Sequence, residues 1–298
     1  MQRLADLQAR IHGLGELREV VGAMRSLAAV RVTQAQEALV AIREYATVVE
    51  RALSDSAPDP PPGRAPETEP VRQVNGVVAF GSEHGFVGAY NDRVLDRAVA
   101  LLGGRSDRLL VVGSRAALIA AERRCAVSSS GPMASQVGGI DEVALRTAAE
   151  IARGVTQGLT QVVLVYTQCT GGTASAVAVE RLLPFDFTPY VSSRGDRRPP
   201  PLSNLTPQAL FAKLVEELTF TQLARAAMES FASENAARLA AMEAAHENIE
   251  NKLNDLTRLE REGRQEEITT ELLDIVTGAE VIGRPSSASA GAVARSPS

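Results

Sequence analysis

Tryptophan is absent from this chain of 298 residues, and aromatic side chains make up only 4% of it. Hydrophobic residues still account for 45% of the sequence, which is enough for a packed core, and alanine is abundant. A chain that is rich in alanine and poor in aromatics favours helix. The length allows one large domain or two modest ones.

Cysteine and lysine are also scarce. The two cysteines, Cys125 and Cys169, form no C-x-x-C pair and no zinc-ligand pattern, so we expect both to be reduced. Nearly all of the basic charge is arginine, and the net charge is −5. An acidic chain lacks the basic surface on which a general nucleic-acid binder depends, so we expect no nucleic acid among its partners.

Long apolar runs are missing as well. No window approaches the ~18 consecutive apolar residues that a membrane-spanning helix needs. The first residues are amphipathic and interrupted by charge, unlike a signal peptide. The sequence therefore predicts a soluble, cytoplasmic protein that meets a membrane only through partners.

Both ends of the chain have a helical pattern. From Arg3 to about Leu53, apolar residues recur at a mean step of about 3.4, close to the repeat of a coiled-coil seam. Glycines interrupt this segment, so we expect a partner helix to stabilise it. A second pattern runs from Thr206, an N-cap residue followed by Pro207, to about Ile282. The first seam is predicted to contain Leu4, Leu7, Ile11, Leu14, Leu17, Val21, Met24 and Ala28.

The middle of the chain alternates between two patterns. Apolar runs at Val77–Phe80, Leu109–Val112 and Val162–Tyr166 predict buried strands. Helical patterns lie between and beside them, at 91–102, 114–124 and 141–158. Strands that alternate with helices indicate βαβ units and a largely parallel sheet.

These patterns predict an α+β fold, in which a central α/β-type domain is inserted in a long antiparallel two-helix coiled coil. The expected order is a long N-terminal helix, a Pro-rich linker, a Rossmann-like domain, a Pro/Arg-rich loop, a long C-terminal helix and a disordered tail. The corresponding boundaries are 1–53, 54–73, 74–192, 193–205, 206–282 and 283–298.

Three glycines, Gly81, Gly85 and Gly88, follow the first predicted strand. No Lys-Ser/Thr pair follows them, as a phosphate-binding P-loop would require, and the G-x-G-x-x-G spacing is also absent. We expect Gly85 and Gly88 to permit positive φ and close backbone approach, and Asn91 to cap the next helix. The three histidines are scattered and form no metal set or catalytic triad, so no catalytic residue, cofactor or metal site is predicted.

Four stretches carry a resemblance to a known family: REVVGAMRSLAAVRVTQAQEAL (18–39), GSEHGFVGAYN (81–91), ASENAARLAAMEAA (232–245) and RQEEITTELLDIVTGAEVI (264–282). Together they resemble the gamma subunit of F-type ATP synthases, the central rotor shaft. They occur in the family's order and span most of the chain. The second of them resembles a family turn of the form Ser-Asp-Arg-Gly-Leu-Cys-Gly-Gly-Phe-Asn.

The sequence also departs from the family pattern. The family commonly has lysine before its Ala-Met pair and a Lys/Arg-rich stretch after it, and those places here hold Gly22, Ser26, Thr33 and Gln34. Val87 and Ala89 replace the usual cysteine and one glycine of the turn. Arg261 stands where asparagine is usual. These departures indicate a divergent gamma subunit. They are compatible with the alternative F-type or N-type ATPase that some bacteria carry as a second enzyme, whose complexes often pump sodium.

The resemblance implies a noncatalytic subunit that transmits torque between a membrane ion-driven ring and catalytic sites on other chains. Its implied partners are the alpha and beta subunits of the catalytic hexamer, the epsilon subunit and the membrane c-ring, at the cytoplasmic face of the bacterial inner membrane. The resemblance implies that seven residues lie at the contact between rotor and hexamer: Met24, Arg25, Leu27, Arg31, Arg238, Met242 and Gln265. On the residues alone, the three arginines fit a helix surface with i,i+4 charge pairs equally well, and the two methionines fit the seam.

Two other classes of protein remain open on the residues alone. An enzyme built on the α/β middle would need a convergent set of acid, base or nucleophile in 74–192, and we find none. A free coiled-coil scaffold would use the same seam to form a symmetric dimer, whereas a gamma subunit alone would be a monomer with an exposed apolar stripe.

Overall fold

The computed structural model describes residues 2–56, 75–104, 106–170, 173–186 and 204–282. The predicted linker beyond residue 56, most of the Pro/Arg-rich loop and the tail from residue 283 on lie outside the described residues. The chain divides into two compact units. The larger unit is Val21–Ala245, and the smaller one joins the residues up to Val20 with those from His246 on.

The first and last elements along the chain are long helices, and shorter strands and helices alternate between them. The first helix begins near the N-terminus, and the last begins at Pro207, where the N–H of Ala209 donates to the Thr206 hydroxyl at 3.4 Å, confirming Thr206 as the N-cap. A 3-10 turn, Val137–Gly139, comes just before the helix that begins at Ile140. The other elements are α1 (Gln2–Ser56), β1 (Asn75–Phe80), α2 (Tyr90–Ala100), β2 (Arg108–Val112), α3 (Ser114–Glu122), β3 (Val127–Gly131), α4 (Ile140–Thr156), β4 (Gln161–Thr170), β5 (Thr173–Leu183) and α5 (Pro207–Ile282).

The five strands form one sheet in the order β3-β2-β1-β4-β5. The first four are parallel, and β5 pairs with β4 in the antiparallel direction. In the register, Val78 of β1 lies between Leu110 of β2 and Leu164 of β4. The predicted strands β1, β2 and β4 and the largely parallel sheet are confirmed, whereas β3 and β5 were not predicted.

Alternating residues of β1 point to two separate hydrophobic clusters, because successive side chains of a strand face opposite sides of a sheet. Val77 and Ala79 pack in the cluster that contains residues of α2 and α3. Val78 and Phe80 pack in the cluster that contains residues of α4, α1 and α5. The sheet is therefore covered on both faces, as the continuous apolar runs of its parallel strands require.

Helices α1 and α5 pack antiparallel within each unit. In the larger unit, Arg43 Nη2 lies 2.8 Å from Glu229 Oε1, and Val49 and Leu53, further along α1, cluster with Leu218 of α5. In the smaller unit, Gln8 Nε2 donates to Glu260 Oε1 at 2.9 Å, and Leu4 lies beside Gly263. In both units, the residue numbers of the contacting positions fall along α5 as they rise along α1.

The predicted seam of α1 is only partly correct. Val21 and Ala28 are buried, Met24 is half-buried, and Leu17 is 47% exposed. On the helix surface Leu17 lies within about 40° of the buried Val21 and Ala28, so its exposure arises because the described residues leave that turn uncovered and not because of its spacing. The prediction that Leu17 belongs to the seam is therefore wrong for the chain by itself.

The carboxyl edge of the sheet as a candidate functional site

The strand order reverses between β1 and β4. Helices α2 and α3, which lead from β1 to β2 and from β2 to β3, pack on one face, and α4, which leads to β4, packs on the other. In open α/β sheets, ligands bind in the crevice outside the carboxyl ends of the strands at such a reversal. The ends of β1 and β4 are therefore where a site is expected.

Helix α5 lies against this reversal point. Ser230 Oγ donates to the carbonyl oxygen of Phe80, the last residue of β1, at 3.4 Å. Ser233 Oγ donates to the carbonyl oxygen of Thr167 in β4 at 2.8 Å, and the N–H of Cys169 donates to Glu229 Oε2 at 2.9 Å. The backbone groups that would face a ligand there are bonded to a helix of the same chain.

The glycine-containing turn after β1 is bonded to the same helix. Glu234 Oε2 accepts from the N–H of Glu83 at 2.9 Å, and its Oε1 accepts from the N–H of His84 at 3.3 Å. Arg238 Nη2 donates to Glu234 Oε1 at 2.6 Å, and Arg238 Nε donates to the carbonyl oxygen of Gly85 at 3.3 Å. The Arg238 and Glu234 side chains are only 6% and 3% exposed. We call Glu234, Arg238 and the turn residues Glu83, His84 and Gly85 the Glu234 clamp.

Glu83 fills a second position that could hold an anion. Its carboxylate accepts from the N–H and the hydroxyl of Ser114, at 3.0 and 2.7 Å, and from the N–H of Met133 at 2.6 Å. Ser114 begins α3, and the N-terminus of a helix attracts negative charge. Partial burial alone would raise the pKa of Glu83, but the hydrogen bonds from Ser114 and Met133 outweigh it, so the pKa lies below its ordinary value of 4.5.

Two expectations about the turn are wrong. Asn91 lies inside α2 rather than capping it; its Oδ1 accepts from the N–H of Ser82 at 2.9 Å, and its Nδ2 donates to Ser82 Oγ at 2.8 Å. Gly88 has a positive φ of 55°, as predicted, but Gly85 does not, and a Cβ at Gly85 would meet nothing within 4 Å. The close approach is at Gly81, where a Cβ would overlap that of Ala116.

The edge also brings a histidine close to a serine. His84 Nε2 lies 3.2 Å from Ser135 Oγ, and both residues are exposed. A nucleophilic serine needs a base that a third group orients, but the neighbouring carboxylate of Glu83 is bonded to Ser114 and Met133 instead. In the part of the chain that the structure describes, this pair does not form a catalytic triad that would support the enzyme alternative.

The predicted partner-contact residues lie in different environments. Leu27 is 52% exposed, and Gln265, in the smaller unit, is also exposed. Met24, Arg25 and Arg31 are half-buried. Arg238 and Met242 are buried. Contact of these residues with a partner stays a prediction. Within the chain itself, Arg238 bonds to Glu234, Asn235 and Gly85.

Sequence reasoning did not identify Glu83 or Glu234. The sequence did contain a signal for Glu234. Ser230, Glu234 and Arg238 follow one another at steps of four residues and so share one face of a helix. Polar residues in such a row usually indicate a solvated face, and only the tertiary structure shows that this row is buried.

Two features are absent from the described residues. None of their helices contains an apolar stretch of the length and character that a bilayer crossing demands. They also contain no group of three or more His, Cys, Asp or Glu side chains placed to hold a metal ion.

Comparisons with known proteins agree over nearly the whole chain. A family model described as ATP synthase matches residues 3–282. The ATP synthase gamma chain of Beutenbergia cavernae is 30% identical over 92% of this chain and 96% of its own length. That of Heliobacterium modesticaldum is 29% identical over 95% of this chain and 100% of its own.

Solved structures show the same fold at lower identity. A chain of the Euglena gracilis mitochondrial ATP synthase, in a structure described as OSCP/F1/c-ring, aligns with a TM-score of 0.62 and 15% identity over 97% of this chain and 99% of its own. A chain of the Tetrahymena thermophila mitochondrial enzyme, described as central stalk/c-ring, aligns with a TM-score of 0.55 and 21% identity over 76% of this chain and 99% of its own. On the family match and these relatives, the chain belongs to the ATP synthase gamma chain family.

Proposed function

We propose that this chain is the central-stalk rotor subunit of an F-type ion-translocating ATP synthase. It couples ion flow through the membrane ring to ATP synthesis or hydrolysis at sites on other subunits, and it has no catalytic site of its own. The single observation that carries this proposal is the family match over residues 3–282. The structures that share its fold include one described as central stalk/c-ring.

The proposed shaft is a two-helix antiparallel coiled coil of α1 and α5. Its support is the opposite numbering of the α1–α5 contacts, with Arg43 bonded to Glu229 in the larger unit and Gln8 bonded to Glu260 in the smaller one. Buried residues of α1 in the larger unit also recur at alternating steps of four and three, as in a heptad seam. They are Ala28, Val32, Ala35 and Leu39.

The proposed contact with the alpha and beta subunits uses apolar residues that the chain alone leaves exposed. The C-terminal part of α5 presents several such side chains, and a soluble protein that exposes a large apolar patch usually covers it with a partner. Leu27 on α1 is another, and the half-buried Arg25 and Arg31 supply charge that can set partner register. The exposed side chains of α5 are Leu259, Ile268, Leu272, Leu273, Ile275 and Val276.

The proposed mechanism is mechanical. A stiff asymmetric shaft on the axis of a catalytic hexamer presents a different surface to each of three sites, and each orientation favours a different conformation there. Only such differential contact can shift nucleotide affinity, because a shaft that touched all three states equally would couple nothing.

The α/β domain and the 193–205 loop are assigned to the other partners, the membrane c-ring and the epsilon subunit. This assignment places the chain as a peripheral protein at the cytoplasmic face of a bacterial inner membrane. The coupling ion, H⁺ or Na⁺, is selected in the ring and not in this subunit.

Complementation of a host strain that lacks the chain tests the proposal. Membrane vesicles with the chain restored should carry out ATP-driven ion uptake and ion-driven ATP synthesis, and vesicles without it should do neither. Affinity capture followed by mass spectrometry should recover alpha, beta and epsilon subunits. Ion-coupled ATP turnover that is unchanged in the absence of the chain would refute the proposal.

Two variants separate a rotor contact from a fold defect. Arg25→Glu should lower coupled ATP turnover in the assembled complex while the isolated chain keeps its melting temperature, because a half-buried surface charge adds little to folding. Arg51→Glu, at an exposed position of the same helix, is the matched control. Equal turnover in the two complexes would count against the contact at Arg25.

Sedimentation of the purified chain addresses the scaffold alternative. A rotor subunit alone should sediment as a monomer, because α5 already occupies the seam of α1. A free coiled-coil scaffold would sediment as a symmetric dimer at micromolar concentration.

A further inference from the structure

Seven polar residues around α5 are buried, each of them 5% exposed or less over the whole residue. Burial of polar and charged groups costs free energy unless each is bonded, and apolar residues of similar size would often stabilise a helix contact at least as well. Their presence therefore calls for a reason other than stability. They are Thr221, Glu229, Ser230, Ser233, Glu234, Asn235 and Arg238.

Two of these residues, Glu234 and Arg238, belong to the Glu234 clamp and bond to the turn beyond β1. Both carboxylate oxygens of Glu234 accept backbone N–H groups of the turn, and the Arg238 guanidinium bonds to that carboxylate, to Asn235 and to the carbonyl of Gly85. Glu83 of the turn also accepts hydrogen bonds from Ser114 and Met133, elsewhere on the edge of the sheet. A continuous set of hydrogen bonds thus joins α5 to the loops that follow β1, β2 and β3.

Hydrogen bonds and apolar contacts resist displacement differently. Apolar burial is non-directional, so one apolar surface can slide over another with little loss while the area stays covered. Hydrogen bonds weaken steeply when the donor and acceptor move out of line, and those with a charged partner are the stronger ones. A helix that must turn together with the domain beside it therefore needs directional bonds across the contact.

We propose that Glu234 and Arg238 are positioning residues for coupling: they hold the turn at 83–85 of the α/β domain on α5, so that torque on the domain turns the helix without slip. This inference rests on the proposed rotor function. It assigns to Arg238 an action within the chain, in addition to any contact with the hexamer.

The test compares clamp variants in the complete ATP synthase in membrane vesicles. Glu234→Gln and the double variant Glu234→Gln, Arg238→Gln are the test variants; the double variant leaves no unpaired buried charge, so it separates lost coupling from misfolding. Glu243→Gln, at an exposed position of the same helix, is the control. ATP hydrolysis without an ion gradient and the number of ions taken up per ATP under an opposing gradient are both measured.

Hydrolysis without load should stay within about twofold of the wild type in the Glu234→Gln complex and in the control. The ion uptake per ATP under load should fall by about threefold or more in both clamp variants and should not change in the control. A threefold change corresponds to the low end of the interaction energies between residues in contact. Unchanged uptake per ATP in assembled clamp variants would overturn the inference. Failure of the wild-type chain to restore any ion-coupled turnover would instead refute the rotor function itself.

Amide hydrogen exchange of the full purified chain decides the matter if a variant does not assemble. The amides of Glu83 and His84 should exchange at least about tenfold faster in the Glu234→Gln chain, while those of β2 keep their protection. Unchanged exchange at both turn amides would show that the bonds to Glu234 do not hold the turn and would overturn the inference.

Discussion

At the scale of the residue, Glu83 illustrates how a carboxylate can occupy a position that elsewhere serves a ligand. It receives three hydrogen bonds from Ser114 and Met133 at the start of α3 and at the loop after β3. An anion from solution would have to displace this carboxylate and overcome its charge. The glycines on either side of Glu83 therefore do not indicate a phosphate site, although their position after a strand suggests one.

The lowered pKa of Glu83 predicts a pH-dependent contribution to stability. Because the pKa is lower in the folded chain than the ordinary 4.5, the contribution is complete above 4.5 and is lost as the pH falls through the folded value. Glu83→Gln should lower the unfolding free energy by about 1–3 kcal/mol near pH 7, and by less below about pH 4. Urea unfolding at both pH values measures this, with exposed Glu122→Gln as the control. A difference independent of pH would contradict the assignment.

The glycines of the turn give a matched pair of substitutions. Gly81→Ala would place a Cβ in overlap with Ala116 and 2.9 Å from Asn91 Oδ1, and should cost about 1–3 kcal/mol of stability. Gly85→Ala meets open space without a positive φ, and should change stability by less than about 0.5 kcal/mol. Thermal unfolding of the two variants compares them. A larger loss at Gly85 than at Gly81 would show that this description of the turn is incorrect.

At the scale of the element, the sequence was most informative where periodicity is strong. The long helices and the strands β1, β2 and β4 follow from apolar spacing, because they are buried on one stripe or on both faces. Strand β3, with the sequence VSSSG, lies at an edge of the sheet and is half-buried, so it has no apolar run to identify it. Strand β5 is at the opposite edge and antiparallel, and its pairing depends on β4, which local sequence does not specify.

The site was less predictable than the fold for a related reason. Burial of Glu234 and Arg238 depends on where α5 crosses the sheet, which no local pattern encodes. The seam error at Leu17 has a similar origin, since its spacing places it beside the buried Val21 and Ala28 and only the packing of the folded chain leaves it exposed.

The contact between α1 and α5 near the end of α1 can be tested with two neighbouring positions. Leu53→Ala should cost about 2–5 kcal/mol, because Leu53 is fully buried with Val49 and Leu218 and its loss leaves a cavity. Val48→Ala should cost less than about 0.5 kcal/mol, because Val48 is 63% exposed. Denaturant unfolding of the full chain distinguishes them, and similar losses at both positions would contradict the packing described.

At the scale of the whole molecule, the apolar side chains left exposed on α5 predict a difference between the isolated chain and the complex. Leu272→Glu should leave the melting temperature of the isolated chain nearly unchanged, because Leu272 is exposed. Assembly with the proposed alpha and beta partners should weaken by about tenfold or more, since burial of a leucine contributes about 1.5–3 kcal/mol. Glu271→Gln is the control. Wild-type assembly of Leu272→Glu would show that this surface stays uncovered.

The position of α5 over the ends of β1 and β4 also has a consequence for the discovery of inhibitors. A helix of the same chain competes for this crevice at an effective concentration on the order of millimolar or above, whatever the concentration of protein. A small molecule designed for the usual pocket of an α/β domain would therefore gain little occupancy here, even at high dose. Screening campaigns against this subunit should instead be aimed at surfaces that only a second polypeptide covers.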